Sequence, residues 1–181
     1  MSIKSLGKQS LVYGIGHILA RLVTFLLLPL YTNVFTASEY GVVALFYTFL
    51  SFMNVIMRYG LGAAFLKFYV PASDSERNTI FTNVIASLFL TGIPFFLVWH
   101  GLRNLISPII LGVNEPSFIS IMGIIIVLDT IWSIPLLGFR AENRPILFII
   151  FSLLNVGITI GLNLFLILKM NMGIRAIFLS N

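Results

Sequence analysis

Long apolar runs separated by short polar connections organise the chain. Five runs, Leu11–Val34, Gly41–Phe68, Ile80–His100, Ser117–Gly138 and Ile146–Leu168, reach the ~20 apolar residues that a membrane-spanning helix needs. A sixth begins at Ile174. The connections carry helix-start signals. Thr36-Ala37-Ser38-Glu39 and Ser73-Asp74-Ser75-Glu76 fit capping boxes, and Asn114-Glu115-Pro116 suits a helix start. Gly101–Val113, with its apolar Leu105-Ile106 and Ile109-Ile110-Leu111, reads as an interfacial segment. The pattern predicts an all-α, polytopic transmembrane bundle with five complete spanning helices and the start of a sixth. No second domain and no internal repeat is visible.

Composition strengthens this reading. The chain is 59% hydrophobic and 9% charged, where soluble domains carry about 25% charged residues. So few charges cannot clothe a surface in water, so lipid must solvate much of it. Net charge is +5, which in a soluble domain would raise nucleic acid as a partner. Here the basic residues sit between apolar runs and form no stripe, so no nucleic-acid partner is expected. With the N-terminus inside, Lys4, Lys8, Lys67, Arg77, Arg140 and Arg144 are cytoplasmic, against Arg103, Lys169 and Arg175 outside. That bias favours a cytoplasmic N-terminus. The first apolar run exceeds the ~7–15 residues of a signal peptide's apolar region. It also holds Arg21 and lacks a cleavage site, so it is expected to be a retained helix. Cysteine is absent, which excludes disulfides, thiolate metal sites and a Cys nucleophile.

Polar residues recur within the runs at helical spacing. Gly14, His17, Arg21 and Thr24 share one face; Thr48, Ser51, Asn54 and Arg58 share another. Thr79, Asn83, Ser87 and Thr91 repeat every fourth position, as do Asn155, Thr159 and Asn163. Such stripes either hold helices together in lipid or line a polar cavity. Gly157 and Gly161 form a GxxxG pair suited to close helix packing. Pro29, Pro94, Pro135, Gly60 and Gly62 are candidate bends.

Arg21, Arg58 and Asp129 lie inside the runs, where a charge costs on the order of 3 kcal/mol. In straight helices rising ~1.5 Å per residue, Arg21 lies roughly 18 Å from Gln9, Arg58 roughly 14 Å from Lys67 and Asp129 roughly 16 Å from Arg140. All three then fall near the midplane. Asp129 can pair with one arginine but not neutralise both. The surplus needs a route to the interface, a carboxylate from elsewhere, or an anionic ligand. Arginine's planar fork suits phosphate oxygens. Arg21 and Arg58 are therefore candidate ligands for a phosphate or pyrophosphate, with His17, Asn54, Asn83 and Asp129 lining the cavity. The chain has no GxxxxGK, HExxH or GxSxG motif, and no catalytic residue, metal or cofactor is expected.

Several local sequences carry a resemblance. They are Tyr13-Gly14-Ile15-Gly16, Arg21, Leu28-Pro29-Leu30-Tyr31-Thr32, Ser38-Glu39-Tyr40-Gly41, and Arg58-Tyr59-Gly60-Leu61-Gly62 through Lys67-Phe68-Tyr69. Leu136-Leu137-Gly138-Phe139-Arg140-Ala141 and Met172-Gly173-Ile174-Arg175-Ala176 extend it along the chain. Together they resemble the N-terminal part of Wzx-type polysaccharide flippases, in the multidrug/oligosaccharidyl-lipid/polysaccharide exporter superfamily. The resemblance implies a transporter of two six-helix lobes in the bacterial cytoplasmic membrane. It implies a lipid-linked (undecaprenyl-pyrophosphate) oligosaccharide as cargo and a role in O-antigen, capsule or other surface polysaccharide biosynthesis. The arginines implied to contact pyrophosphate match Arg21 and Arg58. Residues 1–181 correspond to the N-lobe, so the other lobe is expected from a longer chain, a partner or a second copy. The alternatives are a cation-coupled drug exporter of the same superfamily, for which one Asp among two Arg is a poor fit, and a non-transporting membrane scaffold. A membrane glycosyltransferase would need an acidic cluster better than Asp74 with Glu76.

Overall fold

A computed structural model of the chain describes residue 29 and residues 31–181. Among these residues the fold is all-helical. After a helical segment at 31–34 come α1 (Ala37–Arg58), α2 (Leu61–Tyr69), α3 (Asp74–Gly101), α4 (Arg103–Leu111), α5 (Pro116–Ala141), α6 (Pro145–Leu168) and α7 (Ile174–Leu179). Four of them, α1, α3, α5 and α6, are long and apolar enough to cross a membrane. The expected first span, with His17 and Arg21, lies outside the described residues, and the other four expected spans each have a candidate among them.

The helix starts follow the capping chemistry. Glu39 Oε2 accepts from Thr36 N at 2.9 Å and Thr36 Oγ1 at 2.8 Å, while Glu39 N donates to Thr36 Oγ1 at 3.3 Å. At α3, Glu76 Oε2 accepts from Ser73 N at 2.8 Å and Ser73 Oγ at 2.6 Å. Each box satisfies amide donors that a helix N-terminus leaves over. Proline opens both α5 and α6, where its missing N–H costs nothing. Arg77 closes the turn before α3. Its guanidinium donates to Tyr69 O and Val70 O at 3.3 Å each and lies over the Tyr69 ring.

The run expected as one helix over Gly41–Phe68 is two. The break falls at Tyr59 (φ 29°) and Gly60 (φ 82°). Tyr59 N closes α1 on Ile56 O at 3.0 Å, and Ala64 N opens α2 on Gly60 O at 3.1 Å. Gly60 tolerates a left-handed conformation that a Cβ disfavours. Hydropathy reads through the break because both flanks are apolar.

The chain divides into two compact units. In the unit spanning Gly41–Ala141, α5 is the hub, packed on α2, α3 and α4. Ile119, Met122, Ile126 and Ile134 are fully buried there. Gly123 lets Trp99 lie against α5: a Cβ at that position would come 2.7 Å from Trp99 Cδ1. The indole donates from Nε1 to Ile119 O at 2.8 Å and stacks with Phe49 and Phe95. Buried Ser107 ties α4 to the start of α5, donating to Val113 O and accepting from Glu115 N, both at 2.8 Å. The expected interfacial segment is thus a short helix anchored to its neighbour.

In the other unit, Asn163 of α6 is buried. Its Nδ2 donates to Tyr31 Oη at 2.7 Å and Ser180 Oγ at 3.0 Å, joining the 31–34 segment, α6 and the end of α7. Gly157 and Gly161 meet nothing within 4 Å among the described residues, so the packing expected of that pair is not seen there. Large apolar side chains stay exposed along the spans, Val55 at 74%, Leu90 at 76% and Ile146 at 70%. Apolar exposure on this scale suits a lipid surround, not water.

Candidate polar site in the Gly41–Ala141 unit

Asp129 sits at the midpoint of α5, on a helix whose neighbouring turns are almost wholly apolar. At ~1.5 Å per residue it lies roughly 18 Å or more from either helix end. It is half-buried. Asn54, one turn before the end of α1, donates from Nδ2 to Asp129 Oδ2 at 3.2 Å. Among the described residues this is the only hydrogen bond on the Asp129 side chain, and it is to a neutral group. Thr130 gives its proton to Ile126 O at 2.7 Å, so its 3.5 Å approach to Asn54 Oδ1 is weak.

Arg58 follows Asn54 by one helical turn and ends α1. It is exposed, and a cation suits the carbonyl end of a helix. No direct ion pair joins Arg58 to Asp129 among the described residues. Asp129 thus contacts a neutral amide and not Arg58, while its expected alternative partner, Arg21, lies outside the described residues. Tyr59, next in the chain, brings its hydroxyl to 3.4 Å from Thr91 Oγ1 on α3.

The structure brings Asn54 to Asp129, with Arg58 one helical turn further along α1. It leaves Asn83 apart. Asn83 is exposed on α3, ~12 Å along the helix from the Thr91 that meets Tyr59. The rest of its stripe is self-satisfied: Thr79, Ser87 and Thr91 hydroxyls donate to carbonyls of their own helix. Thr48 and Ser51 do the same on α1. Hydroxyls bonded in this way need no cavity. Arg21 and His17 lie outside the described residues. Sequence reading gave no site role to Thr130, Tyr59, Tyr31 or Ser180. Only Thr130 had a local signal, its place beside a charge in an apolar helix. A recess of about 530 Å³ at the α2–α3 turn, lined by Phe68, Ser75, Glu76 and Thr79 among others, includes none of the three central residues.

Long apolar helices, lipid-type exposure and charge held at mid-span define a multi-pass membrane protein. The chain belongs to the family described as polysaccharide biosynthesis protein, whose model matches residues 6–180. No curated protein and no solved structure matches it significantly.

Proposed function

We propose that the chain is the N-terminal lobe of a flippase that carries lipid-linked oligosaccharide across the bacterial cytoplasmic membrane for surface polysaccharide synthesis. The N-terminus is placed in the cytoplasm. Arg58 binds the pyrophosphate head group, with Arg21 as the companion that the sequence supplies. The observation that carries this reading is the Arg58 guanidinium. It is exposed, sits at the break between α1 and α2, and has no carboxylate in contact among the described residues. Membership of a polysaccharide biosynthesis family supports the cargo class.

Transport proceeds by alternating access, two lobes rocking about a site within the membrane. The prenyl tail stays in lipid while the head group crosses against polar side chains. The Arg58 fork offers paired donors to phosphate oxygens, a geometry that lysine lacks.

The test is genetic. A strain deleted for the gene should lose its surface polysaccharide and regain it from the wild-type allele. The R21Q/R58Q double variant, present in the membrane at wild-type level, should restore less than a tenth of it. Full restoration by that variant would overturn the head-group assignment. A cationic dye expelled by the wild type, with polysaccharide unaffected by the deletion, would favour a drug exporter.

A further inference from the structure

A line of polar side chains on α6 differs from the stripes on α1 and α3. Ser152, Asn155, Thr159 and Asn163 follow one another at helical spacing and share a face. Asn163 is buried and bonded to Tyr31 and Ser180. Those bonds fix the rotation of α6 against the 31–34 segment and α7, and the line leads from them toward mid-span. Ser152, Asn155 and Thr159 make no side-chain hydrogen bond among the described residues. Asn155 is exposed, and its two companions are half-buried.

On α1 and α3 the hydroxyls of Thr48, Ser51, Ser87 and Thr91 are satisfied by carbonyls of their own helix. That remedy is incomplete for Asn155. Its amide holds an acceptor as well as donors, and a helix interior has no free N–H to meet it. Asn155 also stands deep, roughly 15 Å from Pro145 and roughly 20 Å from Leu168, in the most apolar of the four spans. An amide left bare in hydrocarbon forfeits its hydrogen bonds, and polar groups at such depth face a cavity or a partner.

We propose that Asn155, flanked by Ser152 and Thr159, hydrogen-bonds the sugar hydroxyls of the cargo as they cross. This rests on the flippase reading. A sugar hydroxyl both donates and accepts, and so do an amide and the two serine and threonine hydroxyls beside it. Pyrophosphate oxygens only accept, and an arginine fork suits them better. A line of neutral groups that work in both directions is therefore matched to the saccharide, not to the charged head group. Asn163 and Asn155 then divide the labour of one stripe: the first holds the helix, the second meets what passes.

The test uses the full-length protein in lipid nanodiscs and two probes. One is farnesyl pyrophosphate, which has no sugar. The other is the lipid-linked oligosaccharide extracted from the deletion strain, where loss of the flippase makes it accumulate. Asn155→Leu should bind the oligosaccharide lipid about tenfold more weakly than the wild type. It should bind farnesyl pyrophosphate as tightly as the wild type, with thermal stability unchanged. Wild-type affinity of the variant for the oligosaccharide lipid overturns the proposal, and so does an equal loss for both probes. A clear fall in the variant's thermal stability makes Asn155 a helix contact and overturns it too. A wild type that binds neither probe, or a deletion strain that accumulates no such lipid, overturns the flippase reading itself.

Discussion

Asn163 and Asn155 belong to one polar stripe on α6, and the sequence gives them equal weight. Their surroundings separate them. Asn163 is 1% exposed and bonded to Tyr31 and Ser180, whereas Asn155 is exposed. Asn163→Leu takes a donor from two hydroxyl oxygens and should cost about 1–3 kcal/mol. Asn155→Leu should stay within about 0.5 kcal/mol. Thermal unfolding in detergent checks both; equal effects would show that the Tyr31–Asn163–Ser180 contact contributes nothing. The charged residues were more legible. A charge in an apolar run is conspicuous, and Asp129 does meet the Asn54 amide, one turn from Arg58. What a single sequence could not supply was which group touches which. The Asn54–Asp129 bond joins positions 75 residues apart, and helix periodicity says nothing about that.

Elements were easiest to read where backbone chemistry punctuates hydropathy. Both capping boxes and both N-terminal prolines mark helix starts in the structure. The α1–α2 break was hidden, because Gly60 within an apolar run reads equally well as a packing glycine. Its φ of 82° makes it a backbone requirement. Gly60→Val should destabilise the Gly41–Ala141 unit by about 1–2 kcal/mol. Unchanged stability would mean that α1 continues straight into α2. Gly123 is tested differently, because the limit there is space. The Trp99 ring against it is stacked with Phe49 and Phe95 and has little room to yield. Gly123→Leu should cost about 1–3 kcal/mol by overpacking and alter Trp99 fluorescence. An unchanged spectrum with full stability would contradict the contact.

Over the whole molecule, hydropathy located the four spans that the described residues contain, because lipid imposes a length that few soluble helices combine with such apolarity. Orientation rests on the Lys and Arg bias alone. A chain without cysteine makes it simple to test. Single cysteines at Asn104 and at Asn143 should label oppositely with a membrane-impermeant maleimide: Asn104→Cys in intact cells, Asn143→Cys only after the membrane is opened. The reverse pattern would invert the topology. The direction of transport is a separate question, and transport is the central claim. The most direct measurement is the reconstituted transfer of a fluorescent prenyl-pyrophosphate oligosaccharide between the leaflets of vesicles containing the full-length protein, read by quenching of the outer leaflet. Wild-type protein should move the lipid at least tenfold faster than protein-free vesicles, and R21Q/R58Q should return the rate to background. Wild-type vesicles no faster than empty ones, or a double variant as fast as the wild type, would contradict a flippase that grips its cargo by these arginines.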